Sequence, residues 1–222
     1  MKISYAVTVC NEFIEIQRLI AFLLQHKRSQ DEIVVQMDLT LDDMKNHPED
    51  KRQVHSYLMK HNAQGNIRLA FCPLNNDFAT FKNNLTQHCT GDFIFQIDAD
   101  EIPNETLITQ LPNILETNST VDVVLVPRVN TVEGMDQDHM QQWGWNVNEH
   151  GWINWPDYQW RIWKNKPEIK WINKVHERLD GFLSYASIPA DESLALQHPK
   201  TIERQIKQNN FYDNLLNFIT MC

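Results

Sequence analysis

Apolar residues along the chain follow two alternating patterns. Runs of consecutive apolar, often β-branched residues are typical of buried strands, and apolar residues three or four positions apart are typical of helices that bury one face. The runs predict strands at residues 3–9, 33–37, 67–72, 93–97 and 121–126. The helical spacing predicts helices that begin after the cap residue Asn11 and at residues 49, 78 and 103, and a closing amphipathic helix over 201–220 with Ile202, Ile206, Leu215, Leu216 and Ile219 on its apolar face.

This alternation implies a parallel sheet whose strands are joined by right-handed helical crossovers. A chain of 222 residues can bury a full core and is short for two domains. We therefore predict one α/β domain over residues 1–222, with a Rossmann-like array of strands and helices in residues 1–128 and a differently built half in residues 129–222.

The composition excludes several classes of protein. Lys and Arg number 20 and Asp and Glu number 29, so the formal net charge is −9 and a surface that is basic throughout is excluded. With 42% hydrophobic residues, the chain resembles neither a disordered segment nor a disulfide-stapled mini-protein. Its four cysteines form no CxxC pair, and no apolar run reaches the roughly 20 residues of a membrane span, so we expect a soluble, cytoplasmic protein.

The carboxylates of Asp98-Ala99-Asp100-Glu101 directly follow the predicted strand at 93–97. Open α/β sheets bind ligands at the carboxyl ends of their parallel strands. Two carboxylates two positions apart can share a hard divalent cation such as Mg²⁺ or Mn²⁺ that carries a diphosphate. From spacing alone, a polar strand cap is an equally good interpretation.

Six short segments then occur in this order: Val7-Thr8-Val9-Cys10-Asn11-Glu12, Asp77-Phe78-Ala79 with Lys82-Asn83, Gly91-Asp92-Phe93-Ile94, Asp98-Ala99-Asp100-Glu101, Arg161-Ile162-Trp163 and Val175-His176-Glu177. Together they resemble the family-2 glycosyltransferases of the GT-A fold. The last two are similar to segments in the branch that includes lipopolysaccharide-core enzymes and small stand-alone transferases, some of them phage-encoded. The resemblance implies a mostly parallel sheet flanked by helices, and transfer of a sugar from a nucleotide sugar, most often a UDP-sugar.

The resemblance also implies roles for individual residues. The nucleotide-sugar site would contain Thr8, Val9, Asn11, Glu12, Asp38, Lys82, Asp98 and Arg161. The ligands of Mn²⁺ or Mg²⁺ would be Asp98, Asp100 and His198, and the cation would neutralise the leaving diphosphate. Taken singly, Asp38 is equally a helix cap or turn residue, Lys82 a solvated lysine and His198 an ordinary packed histidine.

Glu177 resembles the general base that deprotonates the acceptor hydroxyl in an inverting displacement, with His176 beside it to orient that base or face the metal. A non-catalytic nucleotide- or sugar-binding module is the alternative, and a structural salt bridge at Glu177 would favour it.

The acceptor is expected in residues 129–222. All seven tryptophans lie within 29 residues, and residues 160–178 carry six basic against two acidic side chains, a local charge of +4. Trp143, Trp145, Trp152 and Trp155 are predicted to stack on the acceptor, or else to pack the second half against the sheet. A glycan, a lipooligosaccharide and a hydroxymethylated base of phage DNA all remain open as acceptors.

Overall fold

The computed structural model describes the backbone of residues 1–40 and 48–220, and the side chains of residues 1–40 and 49–211. Its helices are α1 (Phe13–His26), α2 (Pro48–Ala63), α3 (Phe78–Gln87), α4 (Glu105–Thr117), α5 (Gln137–Trp143) and α6 (Ile202–Thr220), with a short 3₁₀ turn at Glu192–Leu194. Its strands are β1 (Ile3–Val9), β2 (Glu32–Asp38), β3 (Arg68–Cys72), β4 (Phe93–Asp98), β5 (Ile102–Pro103), β6 (Val123–Val126), β7 (Arg128–Glu133), β8 (Gln159–Lys164), β9 (Lys170–Ile172), β10 (Arg178–Asp180), β11 (Tyr185–Ser187) and β12 (Leu196–Thr201).

The main sheet has seven strands in the order β11-β6-β8-β4-β1-β2-β3. Strand β1 pairs in parallel with β2 on one side and with β4 on the other, so the direction of chain progress reverses between β1 and β4. This reversal is a topological switch point of the sheet. It leaves a crevice at the carboxyl ends of β1 and β4, because the connections that follow the two strands leave in opposite directions. The fold therefore brings the end of β1 next to the end of β4.

The core lies against the central strands. These strands are buried along their length, as expected for parallel strands covered by helices on both faces. Helix α1 buries Ile16, Leu19, Ile20 and Leu23 at helical spacing against one face. On the other face, α3 packs beside Trp163 and Trp171, whose rings meet edge to face at 5.6 Å.

A second, three-stranded sheet lies next to the carboxyl ends of the main strands. Its order is β5-β12-β7, and β12 runs parallel to β7 with His198 opposite Asn130. Strands β9 and β10 form a separate antiparallel pair, which places Glu177 at the entry to β10.

The predicted strands and helices of the first half are confirmed, with small shifts at their ends. The first helix is capped at Glu12 and not at Asn11. The expected mostly parallel sheet flanked by helices is confirmed, with β8 inserted antiparallel between β4 and β6. The closing helix is present as α6, but Ile206 is 40% exposed, and Leu215, Leu216 and Ile219 lie outside the described side chains.

Cys10, Cys72 and Cys89 form no disulfide bond within the described part of the chain, and Cys222 lies outside it. None of the helices in the described ranges combines the length and the apolar composition that a bilayer span requires.

Candidate functional site

Asp98 lies at the switch point, where the ends of β1 and β4 meet. Thr8 Oγ1 donates a hydrogen bond to Asp98 Oδ1 at 2.9 Å, and an Arg161 nitrogen donates to Asp98 Oδ2 at 2.7 Å. Burial alone would raise the pKa of Asp98, but the charges of Arg161 and Lys82 outweigh it and hold the pKa well below its usual range. A carboxylate has about four lone-pair positions, so Asp98 keeps capacity for one further donor, such as a ribose hydroxyl.

A buried network of alternating acidic and basic side chains is connected to Asp98. Glu101 is fully buried and accepts from Arg161 at 2.5 Å, from Arg128 at 2.9 Å and from the backbone N–H of Asp98 at 3.1 Å. Arg128 continues the chain by donating twice to Asp157. Arg161, predicted to contact the donor, is buried and bonded to two carboxylates, so the structure places it behind Asp98 as a positioning group.

Asp100 faces the second sheet. Its Oδ2 lies 3.4 Å from His198 Nε2, 3.8 Å from Lys200 Nζ and 3.4 Å from an Arg204 nitrogen. Burial alone would raise the pKa of Asp100, yet the hydrogen bond and charge of His198, together with the two cationic side chains, bring it well below its usual range. The Asp100 carboxylate is therefore ionised, and it is the point where β12 and α6 approach the motif.

The other ring nitrogen of His198 is fixed by Asn130. Asn130 Nδ2 donates to Asp157 at 2.6 Å, so its Oδ1 faces His198 Nδ1, 2.7 Å away. The proton of the ring is thereby held on Nδ1, and burial lowers the pKa of His198 despite the pull of Asp100. The second ring nitrogen, Nε2, lies 3.4 Å from Asp100 Oδ2.

The predicted metal ligands do not all converge. Within the described part of the chain, no group of three or more His, Cys, Asp or Glu side chains is arranged to hold a metal ion. Asp100 and His198 approach each other, whereas Asp98 is engaged by Thr8 and Arg161.

Glu12 shapes the turn between β1 and α1. Its Oε2 accepts from the backbone N–H groups of Cys10 and Asn11, and its Oε1 lies 3.6 Å from Arg204, which also bonds Glu15. Burial and the nearby charge of Asp100 raise the pKa of Glu12. This turn is thus tied to the first turn of α6.

Glu177 is connected to Asp98 through Lys82. Lys82 Nζ donates to Glu177 Oε1 at 2.7 Å, lies 3.9 Å from Asp98 Oδ1, and sits over the indole of Trp171 at 4.6 Å from the ring centroid. Lys82 is buried, so the interpretation of a solvated surface lysine is wrong. His176, next to Glu177, has an exposed side chain and a left-handed backbone, with φ at 52°.

Two of the predicted nucleotide contacts are turned into the protein. The side chain of Val9 belongs to the hydrophobic core, so only its backbone is available. Asp38 is buried and accepts from Thr40 and from the backbone N–H of Leu74, with Lys51 Nζ 3.5 Å away. These bonds match the alternative of a turn residue for Asp38.

The four predicted acceptor tryptophans form two partly exposed pairs. Trp143 and Trp145 are 4.7 Å apart between centroids, and Trp152 and Trp155 are 4.9 Å apart. The hairpin that bears the second pair is joined to β7 by a backbone hydrogen bond from Ile153 to Asn130. The segment that bears Trp152 and Trp155 is therefore anchored to Asn130, the residue that also contacts His198.

The basic patch predicted at residues 160–178 does not form one surface. Strand β8 is antiparallel to β4, so Lys164 lies opposite Phe93, at the end of β4 remote from Asp98. Lys164 and Lys166 both pair with Asp122. These two lysines therefore lie at the end of the sheet opposite to the carboxyl end of β4.

Sequence reasoning gave no role to five residues of the site: Glu101, Arg128, Asn130, Lys200 and Arg204. The alternation of a strand would have found Lys200, because it lies two positions after His198 and so shares its face. The others depend on the register of β7 with β12 and on where α6 docks.

The comparisons with known proteins fit this geometry. The family model described as "Glycosyl transferase family 2" matches residues 4–182, most of the chain. The chain belongs to this family. No curated protein sequence matches the transferase.

Solved structures of S. aureus TarS are similar in fold. TarS 1–349 gives a TM-score of 0.60 at 14% identity, over 90% of this chain and 60% of that one. The complex of TarS 1–349 with UDP-GlcNAc gives 0.59 at 16% identity, over 90% and 59%. The transferase thus has the GT-A fold, and it spans about three-fifths of the TarS chains that it matches.

Proposed function

We propose that this family-2 glycosyltransferase moves a sugar from a nucleotide sugar, a UDP-sugar first, to a hydroxyl of an uncharged glycan, with inversion at the anomeric carbon. The observation that carries the proposal is the convergence of an ionised carboxylate pair, a metal-competent histidine and a separate carboxylate at one switch point. The choice of UDP is supported by the TarS structures that hold UDP-GlcNAc and UDP.

A divalent cation fits beside Asp100 and His198. Two ligands bound at about 2.1 Å at right angles lie about 3 Å apart, and Asp100 Oδ2 and His198 Nε2 are 3.4 Å apart. Asn130 holds the other ring proton of His198, as a supporting group does for a metal-bound imidazole. Mg²⁺ and Mn²⁺ take further ligands from substrate phosphates, so two protein ligands suffice.

The chain's own residues would then act in sequence. Thr8 and Asp98 would orient the nucleoside end of the donor at the switch point. Asp100 and His198 would hold a divalent cation, which would supply Lewis-acid neutralisation of the leaving diphosphate. Glu177 accepts the proton of the acceptor hydroxyl as its oxygen attacks the anomeric carbon from the face opposite the diphosphate. One carboxylate base is enough, because the diphosphate leaves without needing a proton.

The charges around the tryptophans favour an uncharged acceptor over DNA. Residues 129–160 contain five carboxylates and no Lys or Arg, and Lys164 and Lys166 lie at the opposite edge of the sheet. A polyanion binds through Lys and Arg contacts to its phosphates, which this surface does not offer. Indoles flanked by carboxylates and amides suit a sugar, whose ring stacks and whose hydroxyl groups donate hydrogen bonds.

One observation favours a second candidate, a module that binds the nucleotide sugar without transferring it. Glu177 is 17% exposed and ion-paired with Lys82, as in a structural salt bridge. The two candidates share donor binding and differ in turnover.

Two measurements test the proposal. A panel of nucleotide sugars is screened for thermal stabilisation with and without Mn²⁺, since a ligand of the native state raises the melting temperature by mass action. UDP-sugars are expected to stabilise the transferase most, and only with the cation. Release of UDP in the presence of neutral glycans then separates transfer from binding. Thermal stabilisation by a UDP-sugar without any release of UDP would favour the second candidate, a module that binds the nucleotide sugar without transferring it.

A further inference from the structure

The ammonium group of Lys82 lies between the two halves of the proposed chemistry. On one side it bonds Glu177 at 2.7 Å, and on the other it lies 3.9 Å from Asp98, at the strand end where the donor would bind. Asp98 already has a closer cationic partner in Arg161, at 2.7 Å. The strong partner of Lys82 in this structure is therefore Glu177.

The segments around Lys82 are joined to one another by hydrogen bonds. Asn83, the next residue on α3, exchanges two hydrogen bonds with the backbone of Trp171, at 2.8 and 2.9 Å. The backbone N–H of Phe78 donates to the carbonyl of Lys174, which connects the loop before Glu177 to the start of α3. A rotation of the flexible Lys82 side chain could therefore change the partner of its ammonium without separating these segments.

The ion pair conflicts with the role proposed for Glu177. The ammonium of Lys82 donates to Oε1 of Glu177 at 2.7 Å, so this oxygen already has a hydrogen-bond partner. An acceptor hydroxyl cannot use the same position on Oε1 until Lys82 moves away. A nucleotide diphosphate carries more negative charge than one carboxylate, and lysine binds phosphate as a mobile point charge.

We propose that Lys82 exchanges Glu177 for the diphosphate of the donor, so that donor binding releases Glu177 to act as the base. This inference rests on the proposed function, because it assumes that a nucleotide diphosphate binds at the end of β4. It makes Lys82 a coupling residue, and it gives the order of events: the donor binds first, and the base becomes available afterwards. Without the donor, the ion pair keeps Glu177 out of use.

The proposed exchange predicts whether Glu177→Gln strengthens or weakens UDP binding, and this can be measured without an acceptor. UDP is titrated in Mn²⁺ by calorimetry into the wild type, Glu177→Gln, Lys82→Met and the double variant. Glu177→Gln is expected to bind UDP about 5- to 10-fold more tightly, because no ion pair must be broken. Lys82→Met is expected to bind about 10-fold more weakly. In the Lys82→Met background, Glu177→Gln should change the affinity less than twofold, since nothing is left to exchange.

Controls separate exchange from simpler effects. Uridine, which lacks the diphosphate, should bind all four proteins alike, and Glu168→Gln removes an exposed carboxylate as a matched control. Lys82→Arg keeps the charge and should restore UDP binding if Lys82→Met proves unstable. Unchanged or weaker UDP binding by Glu177→Gln would overturn the exchange. Equally tighter UDP binding on adding Glu177→Gln to the wild type and to Lys82→Met would also overturn it, because that result would indicate a long-range charge effect. If the wild type binds no nucleoside diphosphate, the proposed function itself fails.

Discussion

At the scale of single residues, the site divides its carboxylates between different tasks. Asp98 and Asp100 are held ionised by cationic neighbours, Glu101 is sealed inside a charge network, and Glu177 has one lysine partner. Glu101 has two arginine partners and a backbone N–H, whereas Glu177 bonds the flexible side chain of Lys82. This difference is the reason for proposing Glu177 as the base.

Replacing Glu177 by Gln tests that assignment. We expect transfer to the acceptor glycan to fall by about 10²- to 10⁴-fold, as for loss of a general base, while UDP binding is not weakened. The measurement is the initial rate of UDP release with saturating donor and acceptor. Glu168→Gln, the exposed matched variant, should be fully active. A wild-type rate for Glu177→Gln would show that the base lies elsewhere, with Asp157 or Asp180 next to be tested.

His176 carries backbone strain beside Glu177, with φ at 52°. A left-handed conformation costs a residue with a Cβ about 1–2 kcal/mol and costs glycine almost nothing. His176→Gly should therefore have a free energy of unfolding about 1 kcal/mol larger than His176→Ala, measured in urea. If the imidazole orients Glu177, both variants lose transfer equally. Equal stability of the two variants would show that the loop relaxes when the imidazole is removed.

At the scale of elements, the strand ends opposite the site are held by Glu32. Ser4 Oγ, the backbone N–H of Thr90 and Lys2 Nζ all donate to its carboxylate. Burial alone would raise the pKa of Glu32, but these hydrogen bonds outweigh it and lower the pKa to about 2. Because the folded pKa lies below the unfolded value, the carboxylate stabilises the fold above about pH 4.5, and this contribution is lost as the pH falls towards 2.

Glu32→Gln should therefore destabilise the transferase at pH 7 by about 2 kcal/mol, or about 4–8 °C in melting temperature. The difference from the wild type should shrink between pH 4.5 and 2. Thermal melts across this range check the prediction, with the exposed Glu133→Gln as a control that is expected to shift the melt little at any pH. A difference that does not depend on pH would mean that the charge of Glu32 contributes nothing.

The elements of the first half could be predicted from the sequence because each is a local pattern. The runs that form β1 and β4, and the carboxylates that follow Ile97, are visible without knowledge of the fold. Strand β8 was not predicted, because Gln159–Lys164 mixes charged and aromatic residues. Arg161 in this strand can be buried because it forms ion pairs with Asp98 and Glu101, which are distant in sequence. Contacts such as His198 with Asn130 depend on strand register, which a single sequence does not reveal.

At the scale of the whole molecule, the net charge of −9 is unevenly arranged about the sheet. The tryptophan-bearing segment over residues 129–160 has carboxylates without Lys or Arg, and Lys164 and Lys166 neutralise Asp122 at the far edge. The surface proposed to bind the acceptor is thus aromatic and acidic, which suits a neutral glycan better than a polyanion.

Changing Lys164 and Lys166 together to Gln tests this arrangement. We expect the KM for the acceptor to stay within twofold of the wild type and to vary little between low and high salt. The melting temperature should fall, because Asp122 loses its two lysine partners. Hydroxymethylated DNA serves as the comparison acceptor. A KM for DNA that rises steeply with salt, and rises further in the double variant, would support a polyanionic acceptor in place of a neutral glycan.

The central claim is that Asp100 and His198 bind a divalent cation that carries the diphosphate of the donor. Calorimetric titration of UDP into the wild type and Asp100→Asn, with Mn²⁺ and with EDTA, tests it most directly. Asp180→Asn, which alters an exposed carboxylate on β10, is the matched control. The account predicts that Mn²⁺ strengthens UDP binding by the wild type and by Asp180→Asn at least about tenfold, and that Asp100→Asn loses this gain. The same gain from Mn²⁺ in a folded Asp100→Asn protein would contradict it.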